Sequence, residues 1–244
     1  MKFIFKLTLK YYLKYITKLV LLIHRPVIIA VAGSTNKVFV KDEIKKVLLD
    51  KGLSVRVNPK NFNTEIGLPL AILNLPSGYN SFKNWLPIIF KAPLAIFQFD
   101  FPKYLVLGLG ASDPGDMKYL LTIVQPKISI ITDITQRYLE GFSDMDKLVG
   151  EYEKLADRTK KNGLIVLNYD NIRVRQIGRK NKKATEFFGS QNGAGWQAVK
   201  VERGEQGEIA KVSHNGIIKE YKLNRFGRHH VYSLLIGLII KSSL

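Results

Sequence analysis

The segment Ala32-Gly33-Ser34-Thr35-Asn36-Lys37-Val38-Phe39-Val40-Lys41 joins a short apolar run to a helical pattern. A buried strand, a polar turn containing glycine, a lysine and then a helix is a layout that binds nucleotide phosphates. Backbone N–H groups of the turn and the helix N-terminus cradle the anion, the lysine meets the outer phosphates, and a Ser or Thr hydroxyl holds Mg²⁺. Gly33, Ser34, Thr35, Asn36 and Lys37 are therefore the candidate nucleotide-binding residues. Taken alone, the segment departs from the standard phosphate-loop pattern. Two other groups carry less weight. His229-His230 reads as a metal pair only if both rings face one way, and adjacent helical residues diverge, so a structural role is expected. Lys180-Asn181-Lys182-Lys183 reads as a solvated loop, with no nucleic-acid-binding pattern beside it.

The elements that would position the loop alternate. Val27–Val31, Ser54–Val57, Tyr104–Leu109, Ile128–Thr132 and Leu164–Leu167 read as strands. Between them, Val38–Lys51, Leu68–Leu75, Phe82–Phe97, Asp113–Val124 and Asp144–Lys161 read as helices. This alternation predicts an α/β fold, a three-layer, mostly parallel sheet covered on both faces. After Asn168 the segments shorten: Ala184–Phe188, Trp196–Glu202, Glu208–His214 and Ile217–Leu223 alternate in polarity, with a hairpin signal at Asn215-Gly216. A small antiparallel ribbon over about 184–223 is expected, with Trp196 packed on it. A closing core helix over about 228–241 follows, its apolar run Val231–Ile240 being too short to span a membrane.

The chain has 244 residues, 46% of them hydrophobic and 24% charged, which excludes disorder and leaves room for a sizeable core. It has no cysteine, which excludes disulfides, thiolate metal sites and cysteine nucleophiles. Lysine and arginine number 38 against 20 acids, a net charge of +18 that favours anionic partners without choosing among nucleotide, nucleic acid and lipid. Residues 1–25 place lysines at 2, 6, 10, 14 and 18 among Phe, Ile, Leu, Tyr and Val. Lysines interrupt any signal-peptide core and any spanning run. Two readings stand side by side: a basic amphipathic helix on an anionic membrane surface, or a helix packed on its own domain with its lysines in water. Residues 26–244 form the domain proper.

Several motifs in fixed order carry a resemblance. Asn61-Phe62-Asn63-Thr64-Glu65-Ile66-Gly67-Leu68-Pro69-Leu70 follows the loop. Then come Val106-Leu107-Gly108-Leu109-Gly110, Pro114-Gly115-Asp116-Met117, and Thr132-Asp133-Ile134 leading to Tyr138-Leu139-Glu140-Gly141-Phe142. Val166-Leu167-Asn168-Tyr169-Asp170 and Gly227-Arg228-His229-His230-Val231-Tyr232-Ser233 close the series. Together they resemble the central ATP-binding domain of the Mur ligases, nearest the type that adds D-Ala-D-Ala to a muramoyl tripeptide, over roughly residues 26–240. The resemblance implies ATP-dependent amide ligation in peptidoglycan precursor synthesis, through an acyl phosphate with Mg²⁺ neutralising charge. It implies a phosphate role for Lys37, nucleotide contact at Asp133, and a substrate loop at Asn61, Asn63 and Glu65.

The departures from the family pattern fall on the chemistry. Asn36 replaces the loop glycine, and Val38 the metal-binding hydroxyl. The family's Glu, His and carbamylated Lys metal ligands fall at Gly108, Tyr138 and Tyr152, and the Asn expected near adenine at Asp133. Mg²⁺ takes hard oxygen ligands, which these side chains do not supply. Asp113, Asp116, Asp133 and Glu140 are the carboxylates from which a site would have to be rebuilt. The ligases of this family have three domains, and a lysine-striped helix stands here in place of the first, with no counterpart of the third. The expectation is a degenerate, non-catalytic binding or regulatory member in the cytoplasm, peripheral at the inner face of the membrane. It keeps an ATP pocket in outline without a Mg²⁺ site. The alternative is an ATP-binding ligase subunit completed by a partner chain, and a nucleic-acid partner is disfavoured.

Overall fold

A computed structural model describes residues 2–79 and 81–244. Nine strands form one sheet: β1 (Val27–Ala32), β2 (Val55–Val57), β3 (Tyr104–Gly108), β4 (Ile128–Ile131), β5 (Leu164–Asn168), β6 (Ala184–Gly189), β7 (Trp196–Arg203), β8 (Glu208–His214) and β9 (Ile217–Leu223). The order across it is β2-β3-β1-β4-β5-β6-β7-β8-β9. Neighbours from β2 to β7 are parallel, and β7-β8-β9 are antiparallel. The helices are α1 (Lys2–His24), α2 (Lys37–Asp50), α3 (Gly67–Leu73), α4 (Phe82–Lys91), α5 (Asp116–Leu120), α6 (Met145–Arg158), α7 (Ile172–Lys180) and α8 (Arg228–Ser243).

Strand residues alternate between two cores, because successive side chains leave a strand on opposite faces. Ile28, Ala30, Leu105, Leu107, Ile165 and Leu167 pack with α5, α6 and α7. Ile29, Val31, Val106, Ile130 and Val166 pack with α2 and α8. The apolar closing run is a core helix as expected, with Leu235, Ile236, Ile239 and Ile240 buried. A third cluster joins α1, α3 and α4, with Leu9, Leu13, Val20, Leu70 and Trp85 at its centre. The N-terminal helix thus packs on its own domain through one face.

The structure corrects several expectations. Ala184–Gly189 is not part of an antiparallel ribbon: β6 pairs in parallel with β5 and with β7, so antiparallel pairing begins only between β7 and β8. Polarity alternation reports a half-buried strand but not its direction. The helix α7 has no counterpart in the sequence reading, although Asn171 caps it by accepting from Val174 N at 3.1 Å. The expected helix 113–124 shortens to five residues after Pro114 and Gly115, the latter at φ 96°. The expected helix 82–97 becomes α4 followed by a 3-10 turn, Ala92–Phe97, with Pro93 at its start. The hairpin at Asn215-Gly216 has φ of 50° and 77°, as its sequence requires.

Candidate functional site

The loop between β1 and α2 sits at the carboxyl ends of the parallel strands, where open α/β sheets bind ligands. Gly33 has φ 137°, and a Cβ there would lie 2.0 Å from Thr132 Oγ1, so only glycine lets the loop pass the end of β4. Asn36 takes the left-handed conformation, φ 64°, at the N-terminus of α2. It provides the turn that the replaced glycine would have provided, at the cost of a side chain.

Thr132 and Asp133, just beyond β4, hold the loop. Ser34 N donates to Asp133 O at 2.9 Å, and Thr35 N donates to Asp133 Oδ1 at 2.9 Å. The Thr35 hydroxyl donates to the other carboxylate oxygen of Asp133, and Thr132 Oγ1 donates to Thr35 O at 2.8 Å. Thr135 N donates to Ser34 Oγ at 2.9 Å. Asp133 therefore engages the phosphate loop itself. Lys37 Nζ donates to Gly33 O, across the turn. Burial pulls the Lys37 ammonium below its usual range, with Asp133 opposing and Arg137 adding to the shift. The loop thus sets one lysine and one carboxylate at the N-terminus of α2, with the Ser34 and Thr35 N–H groups donating to Asp133.

The metal side is different. Lys41, one helical turn after Lys37, is 5% exposed and donates to Asn58 O at 2.6 Å and to Asn58 Oδ1 at 2.9 Å. Asn58 Nδ2 donates to Gly108 O at 3.0 Å, and Gly108 N donates to Asn58 Oδ1 at 2.7 Å. A Cβ on Gly108 would lie 3.5 Å from both Asn58 Oδ1 and Lys41 Cδ. A buried lysine therefore lies beside the position where the resemblance expects a metal-binding carboxylate. Burial lowers its pKa to about 8, with Asp42 opposing and Lys37 reinforcing. Val38 presents hydrocarbon, and Tyr152 is 1% exposed within the core on the α6 side of the sheet. The side chain of Tyr138 lies outside the described residues. Among the rebuilding carboxylates, Asp116 Oδ2 accepts from Ser112 N and Asp113 N, and Asp133 serves the loop. Among the described residues, no three His, Asp or Glu side chains form a group able to hold a metal ion. The residues present do not fit Mg²⁺.

The substrate-loop candidates divide. Asn63 is pressed against the end of β3, its O accepting from Gly110 N at 3.0 Å. Asn61 occupies a left-handed turn at φ 70°, and Glu65 pairs with Lys6 of α1 at 3.1 Å. His229 and His230 do not diverge: both rings contact Phe39, with centroids 4.4 and 5.0 Å away. Trp196 stacks on His214 at 3.7 Å, a packing role. Lys180 and Lys183 tie to Glu153 and to the carbonyl ends of α6.

Sequence reasoning missed a second polar centre. Asp170, after β5, accepts from Ser190 N at 2.7 Å, Gln191 N at 2.9 Å and Arg228 Nη2 at 2.8 Å, and also from the Tyr232 hydroxyl. Burial pushes this carboxyl up, but the donors outweigh it and hold it at about 2. Asp170, Arg228 and Tyr232 each stood inside a quoted motif, and no spacing rule linked the two motifs.

The Mur ligase middle domain family model matches residues 87–240 of this chain, beginning after the phosphate loop. The UDP-N-acetylmuramoyl-tripeptide–D-alanyl-D-alanine ligase of Haemophilus influenzae is 26% identical over 216 residues, covering 86% of this chain and 41% of that protein. The ligase of the same name from Buchnera aphidicola of Baizongia pistaciae is 28% identical over 144 residues, 59% of this chain and 26% of that protein. The structure of the MurF ligase of Thermotoga maritima in complex with ADP superposes with a TM-score of 0.78 at 21% identity, over 96% of this chain and 49% of that one. That likeness concerns the fold. The chain spans about half, or less, of the length of these proteins.

Proposed function

Because this chain belongs to the Mur ligase middle-domain family, we propose that it serves peptidoglycan precursor synthesis in the cytoplasm as a non-catalytic binding or regulatory member. It keeps the nucleotide-phosphate cradle of an ATP-dependent acid–amino acid ligase without the metal centre that such ligation needs. The relatives' names, ligases of a UDP-N-acetylmuramoyl tripeptide and D-alanyl-D-alanine, support that setting. The observation that supports a non-catalytic reading is Lys41. Its ammonium is buried on Asn58 beside Gly108, where a divalent cation would need carboxylate oxygens and would meet positive charge instead. Its partner is a cell-wall ligase or another chain of the same synthesis.

Calorimetric titration with ATP, with and without Mg²⁺, tests this reading. The expected result is weak ATP binding that Mg²⁺ does not strengthen and that Lys37→Ala weakens by about tenfold. Mg²⁺-dependent binding abolished by Lys37→Ala would overturn the reading. It would favour a ligase subunit completed by a partner chain.

A further inference from the structure

Two stretches of the sequence contain no acidic residue, 1–41 and 66–99. The fold lays helices from both side by side. Phe5 meets Phe82 with ring centroids 4.6 Å apart, the Tyr12 hydroxyl donates to Ile89 O at 2.7 Å, and His24 Nε2 lies 3.1 Å from Ala95 O. α1 therefore runs alongside α4 and the 3-10 turn after it. Their inner faces close the third core through Leu9, Leu13, Val20, Trp85 and Ile88.

Their outer faces are apolar as well. Tyr11, Tyr15 and Leu22 of α1, with Phe90, Leu94 and Phe97 of the neighbouring segment, are between 45% and 75% exposed. On a helix of about 100° per residue, Tyr11, Tyr15 and Leu22 fall within an arc of about 40°, opposite the buried Leu13 and Val20. Lys18, Lys83 and Lys91 are exposed on the same elements. A cavity of about 360 Å³ lies between the N-terminal ends of the two helices, bounded by Phe5, Lys6, Leu9, Phe82 and Trp85, and it shares no lining residue with the phosphate loop. Exposed apolar surface of this extent marks a contact site. Protein interface cores are depleted in lysine. An anionic bilayer surface takes aromatic and leucine side chains into the acyl boundary and holds lysines at the headgroups. Among the described residues no helix is long and apolar enough to cross a membrane, so the contact is with the surface.

We propose that the joint face of α1 and the α4 segment docks peripherally on a bilayer containing anionic lipid. The apolar side chains enter the acyl boundary, and Lys18, Lys83 and Lys91 meet the headgroups. This inference stands independently of the nucleotide reading.

Flotation of the full chain with vesicles tests it, using phosphatidylcholine alone and an equimolar mixture with phosphatidylglycerol. The expected result is flotation with the mixed vesicles that weakens as salt rises, and little with phosphatidylcholine alone. Phe90→Ser with Phe97→Ser removes no core contact and is expected to lower partition by about tenfold per residue. Lys18→Glu, Lys83→Glu and Lys91→Glu together are expected to lower it by about fivefold or more per charge. Circular dichroism and a thermal melt verify that both variants fold. Absence of flotation at low salt, flotation indifferent to phosphatidylglycerol, or flotation unchanged in both variants would overturn the proposal. So would a lipid-free dimer, measured by light scattering, that the Phe90 and Phe97 substitutions split, because the face would then belong to a second copy.

Discussion

Asp133 and Asp170 follow neighbouring strands, β4 and β5, yet their surroundings set different roles. Asp133 closes on Thr35 and holds the phosphate loop in shape before any ligand arrives. Asp170 gathers donors from the turn after β6 and from α8, and ties the carboxyl ends of the sheet to the closing helix. Its carboxyl, about 2 in the folded chain against an ordinary 3.8, binds protons more readily once unfolded. The stabilisation is therefore fully present above about pH 4 and is lost as pH falls through about 2. Asp170→Asn is expected to destabilise the chain at neutral pH by about 2 kcal/mol, with the gap to the parent closing across that acid window. Urea denaturation at a series of pH values checks this, and a gap that stays constant down to pH 2 contradicts it.

At the scale of elements, α1 shows what amphipathicity leaves open. Its lysines at four-residue spacing exclude a spanning helix, but residues 2–24 carry apolar side chains all around. Packing on α3 and the α4 segment selects Leu9, Leu13 and Val20 for burial and leaves Tyr15 62% exposed. Leu13→Ala is expected to cost about 2–5 kcal/mol, whereas Tyr15→Ala stays within about 0.5 kcal/mol. Urea midpoints at unchanged slope measure both. If α1 detaches as a unit, Leu13→Ala also opens it to trypsin at Lys10 and Lys14. Equal effects of the two substitutions would contradict the packing. The missed helix α7 teaches a related lesson: its Asn171 cap and the Val174–Ile177 spacing are visible in the sequence, but four basic residues between 173 and 180 mask the apolar stripe.

The whole molecule carries 38 basic and 20 acidic residues. Its ion pairs are mostly at the surface, as in Lys147–Asp144 and Lys200–Glu202, and such pairs contribute little. Self-repulsion of the net charge then dominates the response to ionic strength. The thermal midpoint is expected to rise by a few degrees as sodium chloride goes from low to physiological concentration, read by scanning calorimetry. A falling midpoint would mean that attractive pairs outweigh the repulsion. The charge is also unevenly placed: the acid-free stretches meet on one face, while Asp144, Asp146, Glu151, Glu153 and Asp157 gather on or beside α6.

The sequence by itself determined the alternation of strands and helices, the place of the turn between β1 and α2, the hairpin at Asn215-Gly216 and the family motifs in their order. These are legible because they depend on local periodicity, on backbone angles that few residues tolerate, and on residue order. Only the tertiary structure decided that β6 runs parallel, that Asp133 reaches Thr35 across 98 positions, that Asp170 meets Tyr232 across 62, and that Lys41 lies on Asn58 beside Gly108. It also decided that α1 and the α4 segment lie side by side. The order of strands in the sheet sets each of these, because β1, β3 and β4 are distant in the chain and adjacent in space. Side-chain partners between them follow from register and burial across the whole sheet, and no local stretch of residues encodes those.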